Sequence, residues 1–105
     1  MRTALRRSSA PLLKALADPV RTEICDLLSR EELCVCHLVD ELGISQPLLS
    51  HHLKVLRAAG LVEPRRHSYW TYYRLAPAGL EEVAGGLLDL AERGGRVTKA
   101  RPCCA

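Results

Sequence analysis

Along the first sixty positions apolar residues recur at intervals of three and four, the period of helices that bury one face. Residues 10–17, APLLKALA, form a short helix that tolerates Pro11 in its first turn. Asp18 then caps a second helix that opens on Pro19 and runs to about residue 30, with Val20, Ile24, Leu27 and Leu28 on one stripe. A third, short helix is predicted over residues 35–42, stopped by Gly43. Ser45 caps a fourth, SQPLLSHHLKVLRAAG, whose apolar stripe is Leu49, Leu53 and Leu56 and which ends at Gly60. Beyond Gly60 the period switches to alternation. LVEPRR (61–66) and YWTYYRL (69–75) read as the strands of a hairpin joined by His67 and Ser68, and Pro64 makes the first a short edge strand. Residues 76–94 return to the helical period with Leu80, Val83, Leu87, Leu88 and Leu90, and the paired Gly85 and Gly86 mark a kink or a close helix contact. The pattern predicts a mainly α fold with a small β-hairpin: four helices, the hairpin, and a fifth helix.

With 105 residues this is one domain, divided as an N-terminal arm (1–9), a folded body (10–94) and a flexible tail (95–105) that carries Cys103 and Cys104. A chain this small leaves apolar surface that a second copy would bury, so a homodimer is expected. The core must be aliphatic, because the sequence has no Phe and one Trp. A formal charge of +3 permits a nucleic-acid partner without establishing one. No run of about 18 apolar residues is present, and Lys14 and Asp18 interrupt the N-terminal segment, which points to a cytoplasmic protein without a membrane partner.

The third and fourth helices, joined by LGIS, have the form of a helix-turn-helix whose second helix exposes a polar face. Ser45, Gln46, Ser50, His51 and Lys54 on that face suit base edges and phosphates in the major groove. Arg65 and Arg66, near the hairpin tip, suit the DNA backbone or minor groove. Read alone, the fourth helix is equally a capped surface helix with solvated polar residues, and it is the turn before it and the hairpin after it that favour DNA. Neighbouring His51 and His52 project about 100° apart on a helix, which argues against a shared ion.

Five cysteines, at 25, 34, 36, 103 and 104, do not form a secreted disulfide framework and read as thiols or thiolate ligands. Cys25, beside Ile24 in the second helix, reads as packing. Cys34 and Cys36 stand at a helix start, where free amides and the positive dipole end favour thiolate. Residues two apart on a regular helix project about 200° apart, so the two sulfurs grip one ion only if this turn is not helical or is distorted by binding. Soft thiolates select As(III), Sb(III), Cd²⁺, Pb²⁺, Zn²⁺ or Cu(I) over Mg²⁺ and Ca²⁺. A cysteine nucleophile with His37 as base is the enzymatic alternative; the CxC lies in the helix-turn-helix, and no phosphate-cradling or cofactor motif accompanies it.

The segments DPVRTEICDLL, ELCVCHLVDELGISQPLLSHHLKVLRAAGLV and YWTYYRL together resemble the ArsR/SmtB family of winged helix-turn-helix metalloregulators, over roughly residues 10–95. The resemblance implies a homodimer joined through its first and last helices, a recognition helix from Ser45, and the hairpin as wing. It implies a repressor that holds an operator and leaves it when a metal ion or metalloid binds. A dimer of this kind reads an inverted repeat in double-stranded DNA, with half-sites about 34–36 Å apart or a small multiple of that. ELCVC resembles the arsenic-sensing branch, which implies As(III) or Sb(III) as inducer and no organic cofactor. That branch carries a third cysteine where this chain has Val39, and a wing-tip Gly is common in the family where this chain has RRHSYW. The cadmium and lead branch adds cysteines from the N-terminal arm, but none precedes Cys25, and the last helix lacks the His of the zinc and cobalt sensors. The third donor is therefore expected from Cys103 or Cys104, with His37 and Cys25 as the other sources; the alternatives are a two-coordinate site and a terminal cysteine pair that is a separate thiol pair. A regulator of the same fold that senses Cd²⁺, Pb²⁺, Zn²⁺ or thiol oxidation is the alternative.

Overall fold

The computed structural model describes residues 5–103. A short 3₁₀ turn (Arg7–Ser9) leads into α1 (Ala10–Leu16) and α2 (Pro19–Leu28). A two-residue strand β1 (Leu33–Cys34) runs directly into α3 (Val35–Leu42), followed by α4 (Gln46–Ala58). The hairpin is β2 (Val62–His67) and β3 (Trp70–Leu75), and α5 (Pro77–Gly95) closes the fold. This is a winged helix-turn-helix: α3 and α4 are the two-helix motif and β2–β3 the wing.

The caps explain why the elements start and stop where they do. Asp18 Oδ1 accepts the N–H of Val20 at 2.8 Å and of Arg21 at 3.2 Å, satisfying two donors at the α2 N-terminus. Ser45 Oγ accepts from the Leu48 N–H at 3.3 Å at the start of α4. Gly43, at φ +65° and ψ +30°, ends α3 in the left-handed region and sets the turn into α4. α2 ends at Leu28, close to the predicted end, and Ser29 caps it, its N–H donating to Cys25 O at 2.9 Å and its Oγ to Asp26 O at 2.6 Å.

The core is aliphatic and central. Ile24 of α2, Leu38 of α3, Leu49 and Leu56 of α4, and Leu61 before the wing are fully buried, with Leu12, Ala15 and Val83 joining α1 and α5 to them. α5 runs through the paired glycines as one helix, and Gly86, also buried, makes a close contact there: a Cβ would stand 2.9 Å from the Leu5 side chain. Part of the expected arm therefore packs onto the body.

The sheet was only partly expected. It has three strands in the order β1–β3–β2, all antiparallel, with Leu33 opposite Tyr73 and Cys34 opposite Tyr72. β2 runs six residues, one beyond the predicted end, and Pro64 is accommodated because β2 is the edge strand. The wing turn is Ser68–Tyr69, one residue later than predicted, and Ser68 takes φ +58° where a glycine would be unstrained.

Candidate ligand site and nucleic-acid interface

Strand β1 decides the geometry of the two central cysteines. Cys34 has the extended backbone of a strand (φ −87°, ψ 171°) and is the N-cap of α3, whereas Cys36 lies in the first helical turn. The helical separation of about 200° therefore does not apply. The two Sγ atoms lie 2.9 Å apart, and His37 Nδ1 is 3.3 Å from Cys34 Sγ. Cys34, Cys36 and His37 offer donor atoms that all lie within 4.8 Å of one another, the one such group of three or more found among the described residues. Cys34 is buried; Cys36 and His37 are exposed.

The same atoms cap the helix. The Cys34 N–H donates to His37 Nδ1 at 3.2 Å, while the His37 backbone N–H points at Cys34 Sγ, a reciprocal capping box. With Nδ1 accepting, the ring proton sits on Nε2. Burial pushes the Cys34 thiol up, but the hydrogen bond from Cys36 and the surrounding backbone amides outweigh it and hold Cys34 below the ordinary thiol value. Cys36 moves the other way, raised by its hydrogen bond to Cys34 and then by burial. Of the two thiols Cys34 is thus the one that ionises first, with Cys36 able to donate its S–H to that thiolate.

An open groove of about 370 Å³ lies against the pair, lined by Cys34, Val35, Cys36, Val39 and Asp40 of the α3 segment, by Gln46 of α4 and by Trp70 and Thr71 of β3. Cys25 is buried among α2 contacts, its thiol raised by burial. Cys103 is exposed and stands apart from the cluster. Cys104 lies outside the described residues.

Ser45, Gln46, Ser50, His51 and Lys54 are all exposed on or beside α4, as are Arg65 and Arg66 on β2. Ser45 Oγ is already engaged in the cap. His52 turns the opposite way: it is 7% exposed and its Nδ1 meets Arg21 Nη1 at 3.2 Å, while Arg21 Nε donates to Ala15 O at 2.8 Å. One arginine thereby ties α1, α2 and α4 together. Sequence reasoning missed this, and it missed Glu32, His67, Trp70 and Tyr72 around the thiols. The alternation in YWTYYRL, which puts Trp70, Tyr72 and Arg74 on one face, was the available signal for the two aromatics.

A winged helix-turn-helix with an exposed polar recognition helix and a cationic wing defines a DNA-binding protein of the transcription-regulator class. Residues 18–64 match the family model described as "Bacterial regulatory protein, arsR family". The chain belongs to the ArsR family. It is 49% identical to the arsenic resistance transcriptional regulator ArsR1 of Pseudomonas putida, across 74% of this chain and 64% of that protein. It is 43% identical to the arsenical resistance operon repressor of Staphylococcus aureus, across 72% of this chain and 73% of that one. Among solved structures, an ArsR-like transcriptional regulator from Rhodococcus sp. RHA1 superposes with a TM-score of 0.81 at 30% identity, covering 85% of this chain and 82% of its own. The homodimeric winged helix-turn-helix DNA-binding domain Mb0332 of Mycobacterium bovis gives 0.66 at 31% identity, covering 84% and 81%. The family and fold are those of DNA-binding transcriptional regulators, not enzymes. No helix among the described residues is long and apolar enough to cross a membrane.

Proposed function

We propose that the chain is a cytoplasmic, homodimeric repressor that holds an inverted-repeat operator when ligand-free and leaves it when As(III) or Sb(III) binds through Cys34 and Cys36. The observation that carries this reading is the 2.9 Å approach of the two sulfurs at the entrance to the helix-turn-helix. Two soft donors at that separation suit a thiophilic centre. Relatives named for arsenic resistance support the same choice of ligand. The third position falls to His37 Nδ1, already beside the pair, or to the sulfur of Cys103 or Cys104 in the segment that follows α5.

The mechanism follows from the shared atoms. Ligation takes the Cys34 sulfur and, where His37 joins, its Nδ1, and these are the atoms that cap α3. A helix cap is worth about 0.5–2 kcal/mol. Occupancy therefore competes with the end of the helix against which α4 packs, and the ligand-bound and DNA-competent shapes exclude one another to that extent. Gln46, Ser50, His51 and Lys54 read the groove from α4, with Ser45 fixing its start, and Arg65 and Arg66 hold the backbone from the wing.

Fluorescence anisotropy of a duplex from upstream of the protein's own gene, bound by reduced protein and titrated with arsenite, Sb(III), Cd²⁺ and Zn²⁺, tests this. Arsenite is expected to release the wild type, and Cys34→Ser to bind DNA normally and ignore arsenite. Loss of DNA binding by ligand-free Cys34→Ser would make the sulfur structural and end the reading. Comparing His37→Ala with Cys103→Ser/Cys104→Ser identifies the third donor. Release by peroxide and not by arsenite would transfer the site to thiol oxidation.

A further inference from the structure

Between the thiols and the wing lies a cluster, Glu32, His67 and Tyr72, that has no part in ligation or DNA contact and that reaches the wing cation Arg65. Cys34 stands opposite Tyr72 across β1–β3, and Tyr72 stands opposite Arg65 across β3–β2. Directly opposed residues share a face of the sheet, so Cys34, Tyr72 and Arg65 form one row across three strands. The Tyr72 ring meets His67 edge-on at 5.0 Å between centroids, and lies 6.2 Å from the His37 ring. Glu32, two residues before Cys34, places Oε1 3.5 Å from His67 Nε2 and Oε2 3.9 Å from Arg65 Nη1. Its Oε1 is shielded from water and makes no hydrogen bond. The segment that carries the donors therefore faces the wing at two places, the tilted His37–Tyr72 ring pair and the Glu32 carboxylate beside His67 and Arg65.

We infer that Glu32, Tyr72, His67 and Arg65 form a coupling element that carries occupancy of the thiol site to the wing, so that release acts through the wing cations as well as through α4. This rests on the metalloid-release reading. A half-exposed Arg65–Glu32 pair at 3.9 Å adds little to stability, so holding the fold together is a poor account of it. Their position is informative. Coordination by His37 takes Nδ1 from the Cys34 N–H and turns the ring that faces Tyr72. Coordination by Cys34 pulls on the strand position opposite Tyr72. Either movement reaches His67 and Arg65 through one intervening ring, and Glu32 shifts with the same segment. Glu32, Tyr72 and His67 are positioning residues, since none offers a donor atom to the ligand cluster, and Arg65 is the DNA contact they act on.

The test uses Glu32→Gln, which is isosteric, and Tyr72→Leu, which keeps an apolar side chain at a half-buried position. Three quantities are measured on full-length reduced protein: operator affinity without arsenite, arsenite affinity without DNA from the ultraviolet absorbance of the arsenic–thiolate bond, and operator affinity at saturating arsenite. The first two are expected to stay within about threefold of wild type, while the arsenite-induced weakening of operator binding, on the order of 5–150-fold for an ordinary coupling, falls below about threefold. Full wild-type weakening in both variants overturns the inference, as does loss of arsenite or operator binding in Glu32→Gln, which would mark a structural role. If wild-type protein binds arsenite yet keeps its operator, the release reading itself fails and the coupling falls with it. Wild-type release with unaltered coupling in the variants removes only the coupling.

Discussion

The chemistry of the pair is set by which sulfur carries the proton. Cys34 sits at the α3 N-terminus, where backbone amides favour its thiolate, and Cys36 donates to it from the exposed side. Removing that donor removes one of the effects that lower Cys34. In Cys36→Ala the Cys34 thiolate is therefore expected to form at higher pH than in wild type. A thiolate ultraviolet titration in a Cys103→Ser/Cys104→Ser background reads this, because Cys25, raised by burial, titrates later. An unmoved first titration would mean that the amides alone hold Cys34 down. The same argument explains why the site was half legible in the sequence. CxC followed by His announced soft donors, but at helical spacing they diverge, and only the extended backbone at Cys34 lets them meet.

At the level of elements, the α3–α4 turn depends on one backbone conformation. Gly43 has φ +65° and open space where a Cβ would be, so a substitution there is opposed by the backbone alone. Gly43→Ala is expected to cost about 1–2 kcal/mol, the penalty of an L-residue in the left-handed region, and Gly43→Asn less. Thermal unfolding checks this, at about 4–8 °C of Tm per kcal/mol for a domain near this size. Equal melting of Gly43→Ala and wild type would show that the turn relaxes. Caps and stops of this kind were readable because they are local: Asp18, Gly43 and Ser45 each act within a few residues. β1 was not, because a two-residue strand has no periodicity and exists only through its pairing with residues 72 and 73. The Arg21–His52 contact, 31 positions apart in sequence, was hidden for the same reason.

For the whole molecule the decisive feature is what one chain leaves uncovered. Leu87, Leu88 and Leu90 of α5 are 47%, 49% and 47% exposed, and Leu13 of α1 is 37% exposed. The helical pattern identified these positions as apolar, and a single chain does not bury them, which fits an interface through the first and last helices. Leu88→Glu is expected to shift sedimentation from dimer to monomer and to weaken operator binding while the helical circular dichroism stays near wild type. A persistent dimer would place the interface elsewhere. At the same scale, Cys34 ends a strand of the wing sheet and, in the next peptide unit, opens the first helix of the DNA-reading pair. An extra residue between Cys34 and Cys36 would turn the rest of α3 by about 100° and swing the fully buried Leu38 out of the core. The Cys34–Cys36 spacing is therefore closed to insertion or deletion, and under the proposed function a change of inducer would have to come by exchanging side chains at fixed chain length.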